Sequence, residues 1–140
     1  MNNPDVYQRL TDEIDEMSAV GKLSSPRIRY AEAQQLPYLV ACCKEGMRMH
    51  PSVGLTLPRV VPPGGCQIAG QWFPGGLRVG VNAAVVHFDK AIFGEDADQY
   101  NPDRWLREDA VNMDRYMFQV CSAIPIFFIF ARLAFNSKQR

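Results

Sequence analysis

The sequence predicts a mainly α-helical domain that carries a small β-sheet. Two segments with helical periodicity come first, one from Asn3 to Gly21 and one from Leu36 to Pro51. Residues 55–81 are rich in β-branched residues, glycine and proline, a composition typical of short strands joined by tight turns. The predicted order along the chain is therefore helices, then a small sheet, then coil.

The first helix is predicted to begin at Asn3-Pro4-Asp5. These residues suit an N-cap, the first helical position and an acidic first turn, respectively. Apolar residues then recur at helical spacing, at Val6, Leu10, Ile14 and Met17. Gly21 is predicted to end the helix, and residues 24–26, Ser-Ser-Pro, predict a turn.

The second helix is predicted to begin near Leu36-Pro37-Tyr38, because proline is tolerated in the first turn of a helix. Its apolar positions are Leu39, Val40, Cys43 and Met47. Pro51 stops it, since the residue before a proline is pushed away from helical backbone angles.

The predicted strands are short. Residues 55–61 are strand-like, and Pro62-Pro63-Gly64-Gly65 predicts a turn after them. Further strands are predicted at 67–70, 71–73 and 77–81, with a short helix at 83–88. Residues 91–106, with three aspartates, one glycine and one proline, predict a long ordered coil.

Composition excludes several classes of protein. Fifteen basic and fifteen acidic side chains cancel, so no strong field favours nucleic acid or an anionic membrane. A hydrophobic content of 47% excludes a disordered chain. Cys42 and Cys43 are adjacent while Cys66 and Cys121 stand alone, which indicates neither a disulfide framework nor a zinc site. Cysteine usage therefore points to a reducing compartment.

Glu45 and Arg48 lie three residues apart and share a face of the second predicted helix. Alone, such a pair is an ordinary surface contact worth about 0.3–0.5 kcal/mol. Its context is more specific, because Leu-Pro-Tyr-Leu precedes it at 36–39 and His-Pro follows it at 50–51. Residues 93–98 read Phe-Gly-Glu-Asp-Ala-Asp, and residues 100–106 read Tyr-Asn-Pro-Asp-Arg-Trp-Leu.

This series of motifs resembles the cytochrome P450 family of haem-thiolate monooxygenases over residues 1–119. In that family a Glu-x-x-Arg motif sits in the K helix, and a Pro-x-Arg-Trp segment follows about fifty residues later. Residues 3–7 resemble the start of the preceding J helix. The resemblance implies a partial cytochrome P450 fold, with the J and K helices, short antiparallel strands and a meander coil. It is strongest toward fungal-type members.

The resemblance assigns roles to four residues. Glu45, Arg48 and Arg104 would form a buried structural triad that locks the K helix to the coil, since an arginine fork can bind a carboxylate bidentately. Arg59 would pair with a haem propionate in the full-length protein, or it is a solvated strand arginine. Phe88 departs from the family, where many relatives have arginine at this place.

The family continues after Gln119 with a glycine-rich loop, Phe-Gly-x-Gly-x-Arg-x-Cys-x-Gly, whose cysteine is the axial iron ligand. This sequence instead continues with an apolar run from Val120, and Phe127 stands where the cysteine belongs. Cys121 comes about six residues too early. We therefore predict a partial domain at 1–119 and a non-homologous hydrophobic tail at 120–140, with no catalytic residue and no metal ligand.

Two functions are compatible with these observations. The first is a truncated haem-thiolate monooxygenase that is inactive as this chain, with haem belonging to the full-length family and not expected to bind stably here. The second is a non-enzymatic interaction module that uses the hydrophobic tail and the exposed helix face. Whether the chain is an enzyme is left open, as is any substrate, because substrate-contacting segments lie upstream in the family.

The resemblance also implies a location and partners. A full-length relative would sit on the cytosolic face of the endoplasmic reticulum membrane and receive electrons from an NADPH reductase. This chain shows no signal or membrane-spanning segment, so we expect a cytoplasmic location or assign none. Exposed apolar surface predicts self-association. The match ends abruptly at Val120, and Val-Cys can be encoded by GTATGT, a splice-donor hexamer, so we expect translated intron beyond it.

Overall fold

Six α-helices, one 3₁₀ helix and two antiparallel ladders make up the computed structural model, which describes residues 3–56 and 58–121. The α-helices are α1 (Pro4–Ala19), α2 (Tyr30–Ala33), α3 (Pro37–Met49), α4 (Ala83–Val86), α5 (Lys90–Phe93) and α6 (Ala110–Cys121). The 3₁₀ helix is Pro102–Leu106. The strands are β1 (Arg59–Val60), β2 (Cys66–Ile68), β3 (Gln71–Phe73) and β4 (Arg78–Val79). This confirms the mainly α-helical class with short antiparallel strands.

Helix α1 begins at Pro4 and ends before Gly21, close to the predicted bounds. Asn3 occupies the N-cap position, although its side chain makes no capping hydrogen bond. Gly21 has a φ of +69°, a left-handed angle that glycine adopts at little cost. None of the helix's residues is fully buried, and the predicted apolar stripe is only half-buried. Its contacts with α3 include two hydrogen bonds accepted by Glu13.

Helix α3 is capped by a side chain from α1. Its own N-cap residue, Leu36, cannot accept a hydrogen bond through its side chain. Glu13 does so instead, accepting from the backbone N–H of Tyr38 at 2.8 Å and of Leu39 at 2.9 Å. A carboxylate is favoured there by the helix dipole as well as by the unpaired N–H groups. The buried face of α3 carries Tyr38, Ala41, Cys42, Glu45 and Arg48.

The predicted sheet is divided into two ladders of two strands. Strand β1 pairs with β4, and β2 pairs with β3 in a hairpin. In the described part of 55–61, the expected strand is limited to two residues and one isolated bridge, Thr56 to Asn82, because Pro58 and Pro62 cannot donate to a ladder. At Gly65 a Cβ atom would lie 2.4 Å from the Trp72 indole, so only glycine permits this packing.

Three α-helices, α2, α5 and α6, and the 3₁₀ helix were not predicted from the sequence. Helix α2 spans four residues and α5 another four, too few for a periodic pattern to be visible. Helix α5 and the 3₁₀ helix therefore correct the expectation of coil throughout 91–106. Helix α6 continues through the backbone of Val120 and Cys121, across the predicted boundary at 119. The rest of the predicted tail, 122–140, lies outside the described residues, and the domain division stays a prediction.

The main core lies where α3, α5, the 3₁₀ helix and α6 meet. Its buried members are Ala41, Phe93, Ala97, Trp105, Ala110, Met113 and Met117. The rings of Phe93 and Trp105 pack edge to face with centroids 6.2 Å apart. This core forms one wall of the buried polar cluster described next.

Candidate functional site

Glu45 projects from the buried face of α3 and accepts five hydrogen bonds. Arg48, one turn later, binds it bidentately, with Nε to Oε2 at 2.9 Å and Nη2 to Oε1 at 2.8 Å. Arg104 comes from the 3₁₀ helix and donates from Nε to Oε1 at 3.0 Å. All three side chains are 0% exposed. The structure thus brings together the three residues that the sequence suggested as a triad.

Two further donors complete the shell of the Glu45 carboxylate. The indole Nε1 of Trp105 donates to Oε2 at 2.9 Å, and the backbone N–H of Asn101 donates to Oε1 at 3.0 Å. Burial alone would raise the pKa of Glu45, but the hydrogen bonds from Arg48, Asn101 and Trp105 outweigh it and lower that pKa. Glu45 is therefore a fully bonded carboxylate ion in the protein interior.

The remaining donors of Arg48 hold the main chain of distant segments. Nη1 donates to the carbonyl oxygens of His87 at 2.7 Å and Ala97 at 2.6 Å, and Nη2 to that of Gln99 at 3.1 Å. A guanidinium has five N–H donors, and every one here has an acceptor. Arg48 therefore joins α3 to the end of α4 and to the coil after α5.

Arg104 also binds this coil. Its Nη1 donates to the Phe93 carbonyl and to Asp96 Oδ1 at 3.1 Å. Its Nη2 donates to the Asp96 carbonyl at 2.9 Å and, at 3.5 Å, to the Gln99 carbonyl that Arg48 also binds. The two arginines thus fix the path of residues 93–99 through backbone oxygens.

His87 and Phe88 border the cluster. His87 is 1% exposed, and its Nδ1 lies 3.1 Å from the Arg48 carbonyl oxygen. Burial lowers the pKa of His87, and the carbonyls of Arg48 and Met117 oppose that effect only in part. The ring of Phe88 lies 5.5 Å from Cζ of Arg48, within the range of a cation–π contact.

Arg59 lies apart from the cluster. It sits on β1 opposite Val79 of β4 and is exposed. The one side-chain hydrogen bond assigned to it within the described residues is a long one, from Nη1 to the Pro58 carbonyl at 3.4 Å. A role toward a haem propionate stays a prediction.

Cys42, Cys43 and Cys66 do not fit the role of an axial haem ligand. Cys42 and Cys43 lie within α3 and Cys66 within β2, none of them in a loop that would aim a thiolate at iron. Burial raises the pKa of the Cys42 thiol, which disfavours the thiolate form that iron needs. Within 3–56 and 58–121, no three His, Cys, Asp or Glu side chains gather in a way that could hold a metal ion.

Comparison with known proteins decides the family. The family model described as Cytochrome P450 matches residues 1–119. The chain belongs to the cytochrome P450 family. A cytochrome P450 monooxygenase of Aspergillus terreus is 44% identical over 109 residues, covering 78% of this chain and 22% of that protein. Pisatin demethylase of Fusarium vanettenii is 46% identical over 104 residues, covering 74% of this chain and 20% of that protein.

A solved cytochrome P450 has the same fold over most of the chain. This zebrafish protein, described with progesterone, superposes with a TM-score of 0.64 at 25% identity. The match covers 90% of this chain and 31% of the zebrafish chain. The chain spans about a fifth of the length of the two fungal relatives. The expected membership of a haem-thiolate monooxygenase family is thus confirmed. Across the described ranges, no helix has both the length and the hydrophobicity that crossing a membrane requires.

Sequence reasoning missed three contributors to the cluster, namely Asp96, Asn101 and Trp105. Each stands in a segment that carried the family resemblance, at 93–98 or 100–106, but none was given a role. An available signal was the tryptophan directly after Arg104, since a buried indole N–H needs an acceptor. The contribution of Asn101 through its backbone N–H leaves no mark on the sequence.

Proposed function

We propose that this chain supplies the K-helix lock of a cytochrome P450, in which Glu45, Arg48 and Arg104 fix the coil that leads toward the haem loop. The supporting observation is that the cluster is complete. All five donors of each guanidinium have acceptors, and Glu45 has five donors of its own. Such a network is stable only when every member is satisfied.

The role we assign to this cluster is structural, not catalytic. Catalytic acids and bases must reach a substrate, and these three side chains have no exposed surface. Their contacts join α3 to the end of α4, the coil and the 3₁₀ helix across sequence separations of 39 to 59 residues. The work of the cluster is to hold that coil in one conformation.

For a longer protein that includes this segment, we propose the activity of the family. It would oxidise an organic substrate with haem and molecular oxygen, take electrons from an NADPH reductase, and sit at the endoplasmic reticulum membrane. The fungal relatives named as a monooxygenase and a demethylase support oxidation as the reaction class. Haem, when bound, supplies the oxygen chemistry, and this chain's residues supply the scaffold.

We also propose that the 140-residue chain does not form a cysteine-ligated haem complex by itself. The glycine-rich loop motif is missing from the sequence, in which no glycine follows Gly94. The test is to reconstitute the chain with haemin, reduce it and add carbon monoxide. A Soret band of the thiolate-ligated ferrous–CO type would overturn this proposal, and its loss in Cys121→Ser would identify the ligand.

An interaction module is the second candidate function, and one observation favours it. A groove of about 440 Å³ runs along the outer face of α3 and is mostly apolar. A smaller groove of about 200 Å³ between α1 and α2 continues it, since both are lined by Tyr30, Ala33 and Leu39. Apolar surface of this kind is typical of a face that binds another polypeptide.

A further inference from the structure

Asp96 balances the charge of the buried cluster. Glu45 carries one negative charge, and Arg48 and Arg104 carry two positive charges, so the three completely buried side chains sum to plus one. An uncompensated charge is costly in a protein interior. Asp96 Oδ1 lies 3.1 Å from Nη1 of Arg104, and its negative charge brings the sum of the four groups to zero.

We infer that Asp96 is a positioning residue of the cluster, acting through Arg104 to turn its guanidinium so that Nε faces Glu45. This inference rests on the proposed role of the cluster. The guanidinium has an inner edge at Glu45 and an outer edge at the turn that contains Asp96. Asp96 binds the outer edge twice, through its carboxylate and, at 2.9 Å, through its carbonyl oxygen.

Asn101 closes these contacts into a ring. Its side-chain Nδ2 donates to Asp96 Oδ2 at 2.7 Å, and its backbone N–H donates to Glu45 Oε1 at 3.0 Å. Glu45, Arg104, Asp96 and Asn101 are therefore each bonded to the next around a closed circuit. A circuit of this kind fixes all its members at once, whereas a single surface ion pair would contribute little.

The surroundings of Asp96 are consistent with an ionised carboxylate. The amide of Asn101 contributes most to lowering the pKa of Asp96, and the charge of Arg104 adds to that effect. The side chain of Asp96 forms an ion pair with Arg104, whereas the neighbouring Glu95 forms one with Lys90 at 3.2 Å. The side chain of Asp96 is 31% exposed, so water can reach this member of the ring.

The test measures hydrogen exchange at the Nε–H groups of Arg48 and Arg104 by NMR in the full 140-residue chain. In wild type both should exchange slowly, because both are buried and bonded to Glu45. Asp96→Asn should accelerate exchange at Arg104 severalfold while Arg48 changes little, and Asp96→Glu should restore part of the protection. Asp98→Asn, at an exposed neighbouring acid, is the matched control.

The outcomes distinguish a failure of this inference from a failure of the cluster's proposed role. Unchanged Arg104 exchange in Asp96→Asn would overturn this inference and leave the cluster intact. Rapid exchange at both arginines in wild type would overturn the cluster's proposed role and this inference together. Where Asp96→Asn does not fold, Asn101→Ser serves instead, because it removes the amide that holds Asp96 yet keeps an oxygen able to cap the 3₁₀ helix. It too should accelerate exchange at Arg104, and the absence of any change would contradict the ring.

Discussion

Arg48 and His87 bind each other in both directions. The Nη1 of Arg48 donates to the His87 carbonyl at 2.7 Å, and Nδ1 of His87 lies 3.1 Å from the Arg48 carbonyl oxygen. The C-terminal end of α3 and the end of α4 are therefore joined by two contacts within one residue pair. Since burial lowers the pKa of His87, this junction contains a neutral imidazole near pH 7.

We predict that this imidazole makes the fold sensitive to mild acid. The unfolded chain takes up a proton at His87 near its ordinary pKa of 6.5, whereas the folded chain resists protonation until lower pH. Stability is thus fully present above pH 6.5 and falls as pH drops toward the lowered folded-state pKa. Thermal unfolding at about pH 7.5 and 5.5 should show a larger loss of Tm in wild type than in His87→Gln. His50→Gln, at the exposed second histidine, should behave as wild type.

Removing the charge of Glu45 should be the most damaging single change in the cluster. Glu45→Gln leaves two buried arginines without their shared carboxylate, and the loss of one partner from a buried ion pair costs about 3–5 kcal/mol. The midpoint of urea denaturation should fall accordingly. Glu95→Gln removes the ion pair with Lys90, in which the Glu95 side chain is 91% exposed. The free energy of unfolding should change there by less than about 0.5 kcal/mol. Equal effects in the two variants would contradict the importance of burial.

Glu13 should stabilise the fold by capping the N-terminus of α3. Glu13→Ala removes the acceptor of two backbone N–H groups, and losing an N-cap costs about 1 kcal/mol. Glu16→Ala makes the same chemical change on the exposed face of the same helix, so helix propensity cancels in the comparison. Chemical denaturation followed by circular dichroism measures both. A smaller loss in Glu13→Ala than in Glu16→Ala would disprove the cap.

The groove on the outer face of α3 should bind a hydrophobic dye and promote self-association. Met47 is 47% exposed in this groove, and Met47→Lys should lower both dye fluorescence and the apparent mass in light scattering. Val111→Lys places the same charge at a 63% exposed site on α6 and should change neither. A monomer that unfolds cooperatively without binding dye would count against the groove as an interaction surface.

The abrupt end of the family match predicts a splice donor. We expect genomic DNA to read GTATGT at the codons of Val120 and Cys121, with a Phe-Gly-x-Gly-x-Arg-x-Cys reading frame in a downstream exon. Sequencing the gene and its messenger RNA tests this. A different hexamer at these codons, or a mature transcript that encodes residues 120–140 followed by a stop codon, would refute it.

The elements that the sequence predicted well are those whose signal is local. Pro37 and Pro51 bracket α3, and Pro4 and Gly21 bracket α1, so backbone chemistry alone places these helices within a few residues. Helices α2 and α5 lack such a signal because a single turn shows no periodicity. Helix α6 has twelve residues and apolar positions, including Met113 and Met117, that do recur at helical spacing, so it could have been predicted.

The polar cluster was only partly predictable. Charge and spacing alone made Glu45 and Arg48 an ordinary surface pair, and the family resemblance assigned Glu45, Arg48 and Arg104 to a buried triad. The contacts that complete the shell depend on how the chain folds back. Asn101 contributes a backbone N–H, and Gln99 contributes a carbonyl oxygen shared by both arginines, which any residue could supply. A one-dimensional pattern carries no information about which main-chain groups will point inward.

That reliance on main-chain oxygens has an evolutionary consequence. The two guanidinium groups bind the carbonyls of residues 87, 93, 96, 97 and 99, and most of these contacts do not depend on which side chain the residue carries. Gln99 and Asp98 could therefore drift freely across orthologues while the path of the loop stays constant. A deletion or insertion of one residue between 93 and 104 would displace the carbonyl oxygens of this stretch, so selection should remove it. We expect variation in this stretch to take the form of substitutions, with its length held fixed.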